Sequence, residues 1–550
     1  MRKLKLLLGM AALAVMIAAV VAFGSPYAPV VQPVMDIEDV WAIEDTRMES
    51  EQPLVRELLN HGVPLGYDAA DNTFYCPIGL DHGEQWPEIH LTAPNARHMR
   101  FAFVDDYAYD WCDEAVAEGY RYQVMAYTDT HFGYFDIVFT GLPQVHIDAE
   151  VELCREDRPA EVAVALPDAG LTSHARVHYR GGVTVKFEKH PYRIEFTRTA
   201  SGRSKVYQNV PGMGTMNQFI LIPMWFDNDM LRDRLSWAVY GELVGGDQPY
   251  GARRHTYAEV FVNDRYEGVY LMMEPYDHAA ELAKAGSGHA AGDSVYCTTP
   301  LYEEEIRPRI LDPIVETKGI DLYIQGQERE PFEALEDYID ICREKDDAVF
   351  ARRAMEQMDI ENMMRYHHIL QSFGLGDNVF NNMFIWAASE NGRSVYRFIP
   401  WDMDMSWGED DHIEWILEEY DGWMYFPVMD RLLNLNPDGL RARWARMWRS
   451  MRESVLTYEN IEEKVTQFSH ELNDSGAILR NSERWGNRNP VSETFEILNY
   501  VQMRFAILDD LVTYVEQASG DIPMLVYDDP EMESGVIYGF DGRENEGMMK

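Results

Sequence analysis

The sequence contains few cysteines, no excess of positive charge and only one long apolar run, and each shortage bears on the class of protein. Five cysteines stand in 550 residues, and their spacing matches no zinc motif. Lys and Arg number 48 against 93 Asp and Glu, a formal net charge of −45. Because DNA, RNA and anionic membrane surfaces repel so acidic a chain, we expect no nucleic-acid partner. The charge favours cationic partners such as a Lys/Arg-rich protein, although an acidic surface also serves solubility alone.

The single long apolar run lies at the N-terminus. Three basic residues precede 18 residues from Leu6 to Phe23, and small residues before Ser25 offer a cleavage site. This pattern predicts a secretory signal over residues 1–24 and an extracytoplasmic location, whether periplasmic, cell-surface or secreted. The run is also long enough to span a bilayer uncleaved, which leaves an N-terminal anchor as the alternative. Since export permits disulfides, Cys76 and Cys112 are a candidate pair.

The rest of the chain divides into a β-rich part and a mostly helical part, which predicts an α+β protein. A linker or short helix is predicted over 25–62, with 54–60 as the helical stretch, and a small β-rich domain over 63–155. The main domain is predicted over 156–518, with its N-terminal part at about 160–275 and its C-terminal part at about 276–518. An acidic tail, 519–550, follows.

Several elements of the main domain are predicted from local pattern. Period-two alternation predicts strands at 175–179 and 192–196, and turn residues 263–266 predict a hairpin between strands 258–262 and 268–273. An apolar stripe predicts a helix over 229–243, which Asp227 or Asp229 can cap. A second helix is predicted over 359–373, with Asp359 as its N-cap.

Two carboxylates follow the apolar run Phe398-Ile399-Pro400. Asp402 and Asp404 are two positions apart, so both leave the end of the predicted strand on the same side. Hard oxygen ligands in this arrangement suit Mg²⁺ or Mn²⁺ and, through the metal, the phosphates of a nucleotide.

An aspartate upstream has the spacing of a catalytic base. Asp377 stands five positions before Asn382, as in protein kinases, where an Asp base precedes a metal-binding Asn and a metal-binding Asp follows later. The pattern predicts Asp377 as the base for a substrate hydroxyl and Asn382 and Asp402 as metal ligands, which Asp404 joins or orients. The alternative for Asp377 is a turn-capping role, because this spacing also arises by chance.

Cations cluster in the segment from 179 to 196. A Gly pair at 181–182 allows backbone N–H groups to approach phosphate, and Thr184 adds a hydroxyl. Lys189 and Arg193 add positive charge in a very acidic chain, which predicts phosphate binding. A surface hairpin with solvated bases is the alternative.

Arg232 is a further candidate for phosphate binding. It lies at the start of the predicted helix after Asp227 and Asp229, where its guanidinium can turn toward a phosphate. An ordinary salt bridge with an acid is the alternative.

Taken together, five segments resemble the CotH family of spore-coat-type atypical protein kinases. They follow the family's order, and together they are far more specific than any one motif. The segments are 189–196, 227–235, 263–274, 377–384 and 399–408.

The resemblance implies a kinase-like core of two lobes with a mostly helical C-terminal lobe, preceded here by the small β-rich domain. Such a protein transfers the γ-phosphoryl group of ATP to Ser or Thr of a secreted or envelope protein, with Mg²⁺ or Mn²⁺. By position, Asp377 matches the catalytic Asp, and Asn382 and Asp402 match the metal ligands. Glu274 closes the strand that resembles the inter-lobe connection, where backbone meets adenine.

Two other functions stay open at this point. The segment 180–184 carries fewer hydroxyls and amides than the family's usual loop, which favours a non-catalytic surface module for coat assembly or adhesion. Alternatively, the same acids and metal suit nucleotidyl transfer or phosphoester hydrolysis.

Overall fold

Helices and strands both contribute largely to the structure, which confirms the predicted α+β class. The signal over 1–24, Thr184 and nearly all of the acidic tail lie outside the described residues. Within the described ranges, no helix combines the length and apolar character needed to cross a bilayer. A computed structural model describes residues 29–30, 35–83, 89–94, 99–104, 112–149, 153, 160–181, 186–200, 204–245, 251, 253–276, 293–298, 320–324, 333–379, 382–408, 423–424, 426–486 and 490–525.

The elements are numbered in chain order. The strands β1 to β23 are Pro29–Val30, Met48–Glu49, Leu59–Asn60, Val63–Pro64, Gly66–Asp68, Thr73–Pro77, Leu91–Thr92, Arg100–Phe103, Arg121–Tyr127, His131–Thr140, Gln144–Asp148, Ala160–Leu166, Leu171–Tyr179, Tyr192–Phe196, Gln208–Val210, Gly214–Met216, Gln218–Ile222, His255–Val262, Tyr266–Met273, Ser294–Thr298, Ile320–Ile324, Met383–Glu390 and Arg393–Pro400. The helices α1 to α11 are Ile37–Thr46, Cys112–Ala117, Arg232–Val244, Glu333–Arg343, Asp347–Gln357, Ile360–Phe373, Pro427–Leu435, Leu440–Arg452, Tyr458–Asp474, Ala477–Trp485 and Pro490–Gln517.

The chain forms two compact units, and each is assembled from three separate segments. The first unit comprises Met1–Pro223, His255–Met273 and His470–Arg488. The second comprises Met224–Arg254, Glu274–Ser469 and Asn489–Lys550.

The N-terminal part of the first unit is β-rich. Strands β5, β6, β10, β9 and β8 form one sheet, with β2 paired to β10, and their apolar faces enclose a core that contains Phe74, Tyr122 and Ile137. Cys76 and Cys112 are buried in this core as separate thiols, so the candidate disulfide between them is wrong. The helix predicted over 54–60 is also wrong, because Leu59–Asn60 forms strand β3.

A closed seven-stranded barrel forms a second part of this unit. Its strand order is β11, β12, β13, β14, β17, β19 and β18, and β11 closes the ring by pairing parallel to β18. The predicted strand at 192–196 is confirmed, and the other predicted strands and the hairpin lie within β13, β18 and β19. Buried apolar side chains, including Val177, Ile194 and Phe219, make up the core.

The second unit combines a four-stranded sheet, in the order β21, β20, β22 and β23, with most of the helices. Helix α6 confirms the predicted cap, since the Asp359 carboxylate accepts from Asn362 N at 3.1 Å. Asn362 exchanges two hydrogen bonds with the backbone of Phe398 on β23, at 2.7 and 3.1 Å. These bonds tie α6 to β23, and this strand leads directly to the predicted acidic site.

Candidate functional site

The candidate site lies where β22 begins and β23 ends. These strands form an antiparallel hairpin in which Met383 pairs with Pro400. One step beyond this pair, Trp401 N donates to the Asn382 carbonyl at 2.8 Å. The structure therefore places Asn382 next to the segment that carries Asp402, although Trp401 stands 19 positions after Asn382 in the sequence.

The side chain of Asn378 clamps this strand end. Its Nδ2 donates to the carbonyl oxygens of Asn382 and Trp401, both at 2.7 Å. The Asn378 carbonyl in turn accepts from the Tyr366 hydroxyl at 2.7 Å, and Asn378 itself is buried. Because one amide satisfies two carbonyls from different segments, it fixes how the two segments meet.

Asp377 lies directly beside this clamp in the sequence. It opens a short 3-10 helix, Asp377–Val379, that follows α6 after Gly374, whose φ of +76° ends the helix in the left-handed region. The backbone thus brings the predicted base, Asn382 and Asp402 to one end of the hairpin. The position of the Asp377 carboxylate lies outside what the structure describes.

Asp402 and Asp404 flank a buried anchor. Met403 between them is fully buried, whereas both aspartates are partly exposed. The loop is held further along, where Ser406 Oγ donates to the Met403 carbonyl at 2.7 Å and Trp407 Nε1 donates to Ser236 Oγ at 2.8 Å. Met403, Ser406 and Trp407 are all buried and thus anchor the loop that carries the two aspartates.

Two of the predicted ligands adopt an uncommon backbone conformation. Asn382 has φ +46° and Asp402 has φ +56°, in the left-handed region that non-glycine residues occupy rarely. Such a conformation costs on the order of 1 kcal/mol and persists where surrounding contacts enforce it, often at functional sites. The Asn378 clamp and the backbone bond between Trp401 and Asn382 supply that enforcement.

Asn382, Asp402 and Asp404 are the residues at this hairpin end that could hold a divalent metal. Among the described side chains, no three His, Cys, Asp or Glu residues converge as a metal cage. Mg²⁺ in nucleotide-dependent enzymes takes one or two carboxylates, while phosphates and water complete its shell. An amide and two partly exposed carboxylates, from Asn382, Asp402 and Asp404, fit that pattern.

Arg232 lies in a buried acidic cluster of the second unit. Its Nη1 lies 3.2 Å from Asp227 Oδ1 and 3.0 Å from Asp229 Oδ2, and the side chains of all three are almost fully buried. Burial raises the pKa of the Asp229 carboxyl well above its ordinary value, and the neighbouring Asp227 adds to the effect. Asp229 accepts from Leu231 N and Asp227 accepts from Arg232 N, so both acids hold the start of α3, although Leu231, and neither acid, is its N-cap residue.

Lys189 is buried in the first unit. Its Nζ donates to the Val269 carbonyl at 2.5 Å and to Asn481 Oδ1 at 3.0 Å, and lies 4.7 Å from the centre of the Tyr270 ring. These contacts join the segment after β13 to strand β19 and helix α10. They give Lys189 a structural task in this unit, and a contact with phosphate stays a prediction.

Arg193 and Glu274 are partly accessible. On β14, Arg193 Nη2 donates to Gln218 Oε1 at 2.7 Å. Glu274 follows the end of β19, as predicted, and receives two hydrogen bonds from Arg254, each 2.9 Å. Their predicted roles at phosphate and near adenine are not tested by these contacts.

Sequence reasoning missed the residues that hold the site together. An asparagine directly after an aspartate is typical of a turn. It indicates only weakly that the Asn378 side chain is buried and joins two segments. Ser236 and Ser406 carry no sequence signal, because their hydroxyls meet at 3.0 Å across 170 residues of chain.

Comparison with known proteins decides the family. The model of a family described as "CotH kinase protein" matches residues 177–508. The chain belongs to the CotH family. The predicted resemblance is therefore confirmed, and the match includes the clamped hairpin end and the acidic cluster.

A curated relative in the family is the inner spore coat protein H of Bacillus subtilis (strain 168). Its sequence is 24% identical to the sequence of this chain over 295 residues. The aligned region covers 52% of this chain and 74% of the relative.

Proposed function

We propose that this chain transfers the γ-phosphoryl group of ATP to Ser or Thr hydroxyls of a protein substrate, in the presence of Mg²⁺ or Mn²⁺. The observation that carries the proposal is the hairpin end at which Asn378 joins the backbone of Asn382 to the segment bearing Asp402. The "CotH kinase protein" family supports the same reaction, and the kinase-like two-lobed core belongs to this proposal.

In this proposal each polar side chain at the hairpin end has one task. Asp377 accepts the proton of the attacking hydroxyl. Asn382 and Asp402 hold the metal, and Asp404 joins or orients them. When bound, the metal neutralises charge on the nucleotide phosphates, which is the main chemical demand of phosphoryl transfer.

The partner that we propose is a Lys/Arg-rich secreted or envelope protein, because the formal charge of this chain is −45. An extracytoplasmic site of action follows from the predicted secretory signal. The name of the Bacillus relative, an inner spore coat protein, supports a location outside the cytoplasm.

A phosphorylation assay tests the proposal. Residues 25–550, incubated with γ-labelled ATP, Mn²⁺ and a basic protein, should transfer label to that protein or to themselves. Asp377→Ala should abolish labelling, and Asp402→Ala should abolish metal-dependent nucleotide binding measured by thermal shift. Asp346→Ala removes a helix-capping carboxylate of the same unit and should leave both signals in place. Undiminished labelling by both site variants would refute the assignment.

A non-catalytic role in coat assembly or adhesion is the second candidate. The observation in its favour is that Lys189 and Arg232, two predicted phosphate cations, both have internal partners. A ligand stabilises only the state that binds it. Unchanged thermal stability with millimolar ATP and Mn²⁺ would therefore favour this second role over catalysis.

A further inference from the structure

Ser236 on α3 contacts the loop that carries Asp402 and Asp404 through its hydroxyl. The side chain is fully buried, and its Oγ lies 3.0 Å from Ser406 Oγ. Trp407 Nε1 donates to the same Ser236 oxygen at 2.8 Å. Helix and loop belong to the second unit, but the two serines stand 170 positions apart in the sequence. The proposed phosphoryl transfer assigns this buried contact no task.

The hydrogen atoms of this contact can be assigned, because two of its groups have only one role in hydrogen bonding. A carbonyl oxygen only accepts, so the Ser406 hydroxyl donates to the Met403 carbonyl at 2.7 Å. An indole N–H only donates, so Ser236 Oγ accepts from Trp407. Since Ser406 has given its one hydrogen to Met403, the Ser236 hydroxyl donates to Ser406 Oγ. The result is a directed chain from the Trp407 indole through both hydroxyls to the Met403 carbonyl.

This directed chain closes the loop on itself. Its two ends, the Met403 carbonyl and the Trp407 indole, stand four positions apart in the sequence, and the two aspartates flank Met403. Asp402 and Trp407 have φ values of +56° and +52°, in the left-handed region that non-glycine residues keep only where surrounding contacts enforce it. The directed chain bonds Trp407 itself and Met403, the residue after Asp402, so it acts on both positions.

Helix α3 is a rigid support for Ser236. Arg232, one turn earlier on the helix, lies 3.2 Å from the buried Asp227 carboxylate and 3.0 Å from that of Asp229. The same acids accept backbone N–H groups at the start of the helix. Because the helix start is held in this way, the Ser236 hydroxyl has a fixed position, and the loop adapts to it.

We propose that Ser236 is a positioning residue for the metal ligands. It fixes the conformation of loop 402–408, and thereby the positions from which Asp402 and Asp404 meet Mg²⁺ or Mn²⁺. It acts through Ser406 and Trp407 rather than on the metal. Alanine at this position leaves the indole without its acceptor and Ser406 Oγ without its donor, so the loop loses two bonds at once. The inference rests on the proposed function, because it needs the metal at this hairpin end.

Binding of the Mn²⁺ complex of a non-hydrolysable ATP analogue to the full chain, measured by calorimetry, tests the role toward the metal. Ser236→Ala and Ser406→Ala should each raise the Kd about three- to tenfold, the size expected for a hydrogen bond. The double variant should raise it no further, because both substitutions break the same chain of bonds. Ser372→Ala is the matched control and should leave the Kd unchanged. Its buried hydroxyl donates to carbonyls of its own helix, those of His368 and Ile369 on α6.

Hydrogen exchange of the metal-free chain tests the positioning itself. The amides of 402–408 should exchange faster in Ser236→Ala than in the unmodified chain, whereas Ser372→Ala should leave their exchange unchanged. Unaltered exchange in Ser236→Ala, additive losses of affinity in the double variant, or equal weakening by Ser372→Ala would each overturn the inference. Absence of binding by the unmodified chain would instead overturn phosphoryl transfer, and with it the role of Ser236 toward the metal.

Discussion

Glu267 shows how a single buried carboxyl makes stability depend on pH. It lies on β19, is 7% exposed and has Arg265 Nε at 3.2 Å. Burial raises the pKa of this carboxyl from 4.5 to about 7, although Arg265 and Lys189 oppose the shift. The folded state therefore holds its proton across a range of pH in which the unfolded chain has lost it.

The direction of the effect follows from proton linkage. The stabilisation by the protonated carboxyl is full below pH 4.5 and is lost as the pH rises through 7. Glu267→Gln removes this dependence on pH. As the pH rises from 5 to 8, the unfolding free energy of the variant should therefore increase by about 2 kcal/mol relative to that of the unmodified chain. Denaturant unfolding of both proteins at pH 5 and at pH 8 measures this change in unfolding free energy. Glu161→Gln, which removes an exposed carboxylate, is the control, and the same gain there would contradict the explanation.

Gly268 is a residue whose replacement has two separate costs. Its φ is +91°, and an added Cβ would lie 2.4 Å from Asn481 Oδ1 and 2.9 Å from Trp485 Nε1 on α10. Gly268→Ala should lower the free energy of unfolding by about 2–4 kcal/mol, through backbone strain and forced displacement of α10.

Gly392 is the matched control for this substitution. Its φ is +78°, but an added Cβ would have no atom within 4 Å. Gly392→Ala should cost only the backbone term, about 1–2 kcal/mol. Equal losses in the two variants, measured by denaturant unfolding, would show that contact with α10 contributes nothing.

At the scale of elements, the structure of the hairpin end should depend on the Asn378 side chain, which bonds to both of its segments. Asn378→Leu keeps similar volume but leaves the carbonyls of Asn382 and Trp401 without their shared donor. We expect a loss of about 2 kcal/mol in unfolding free energy and weaker metal-dependent nucleotide binding. Asn391→Asp, in the turn at the other end of the same hairpin, should change neither, because Asp also tolerates the left-handed φ of 52° found there.

Elements with strong local pattern could be predicted from the sequence, and those set by distant contacts could not. Strand β14 and the cap of α6 follow from alternation and from a capping carboxylate. The short apolar run at 54–60 suits helix or strand equally, and pairing of β3 with β4 and β7 decides the outcome. The backbone of Asn382 bonds to Trp401, the residue before Asp402, as the spacing of a strand pair allows, but the Asn378 clamp depends on tertiary packing that no spacing in the sequence reveals.

At the scale of the whole molecule, the formal charge of −45 predicts a strong response to salt. Repulsion among the acids opposes compaction, and ions screen it within about 10 Å at 0.1 M. The thermal midpoint should rise by several degrees between about 10 mM and about 0.5 M NaCl. Sucrose at matched osmolality should raise it less, and an equal rise would indicate that preferential exclusion, not charge screening, is responsible.

The three-segment construction of the first unit determines when it can fold. Strand β11 needs β18 as its barrel neighbour, with Gln144 opposite Glu259, and Glu259 then needs Arg480 from α10. During synthesis the barrel stays open until residue 273 has emerged, and its buried ion pair forms only after residue 480 has followed. This unit therefore completes its fold late in synthesis, with long-range closure as the slow step. The same dependence means that a fragment ending at Pro223 lacks two barrel strands and should be captured by chaperones or proteases rather than accumulate.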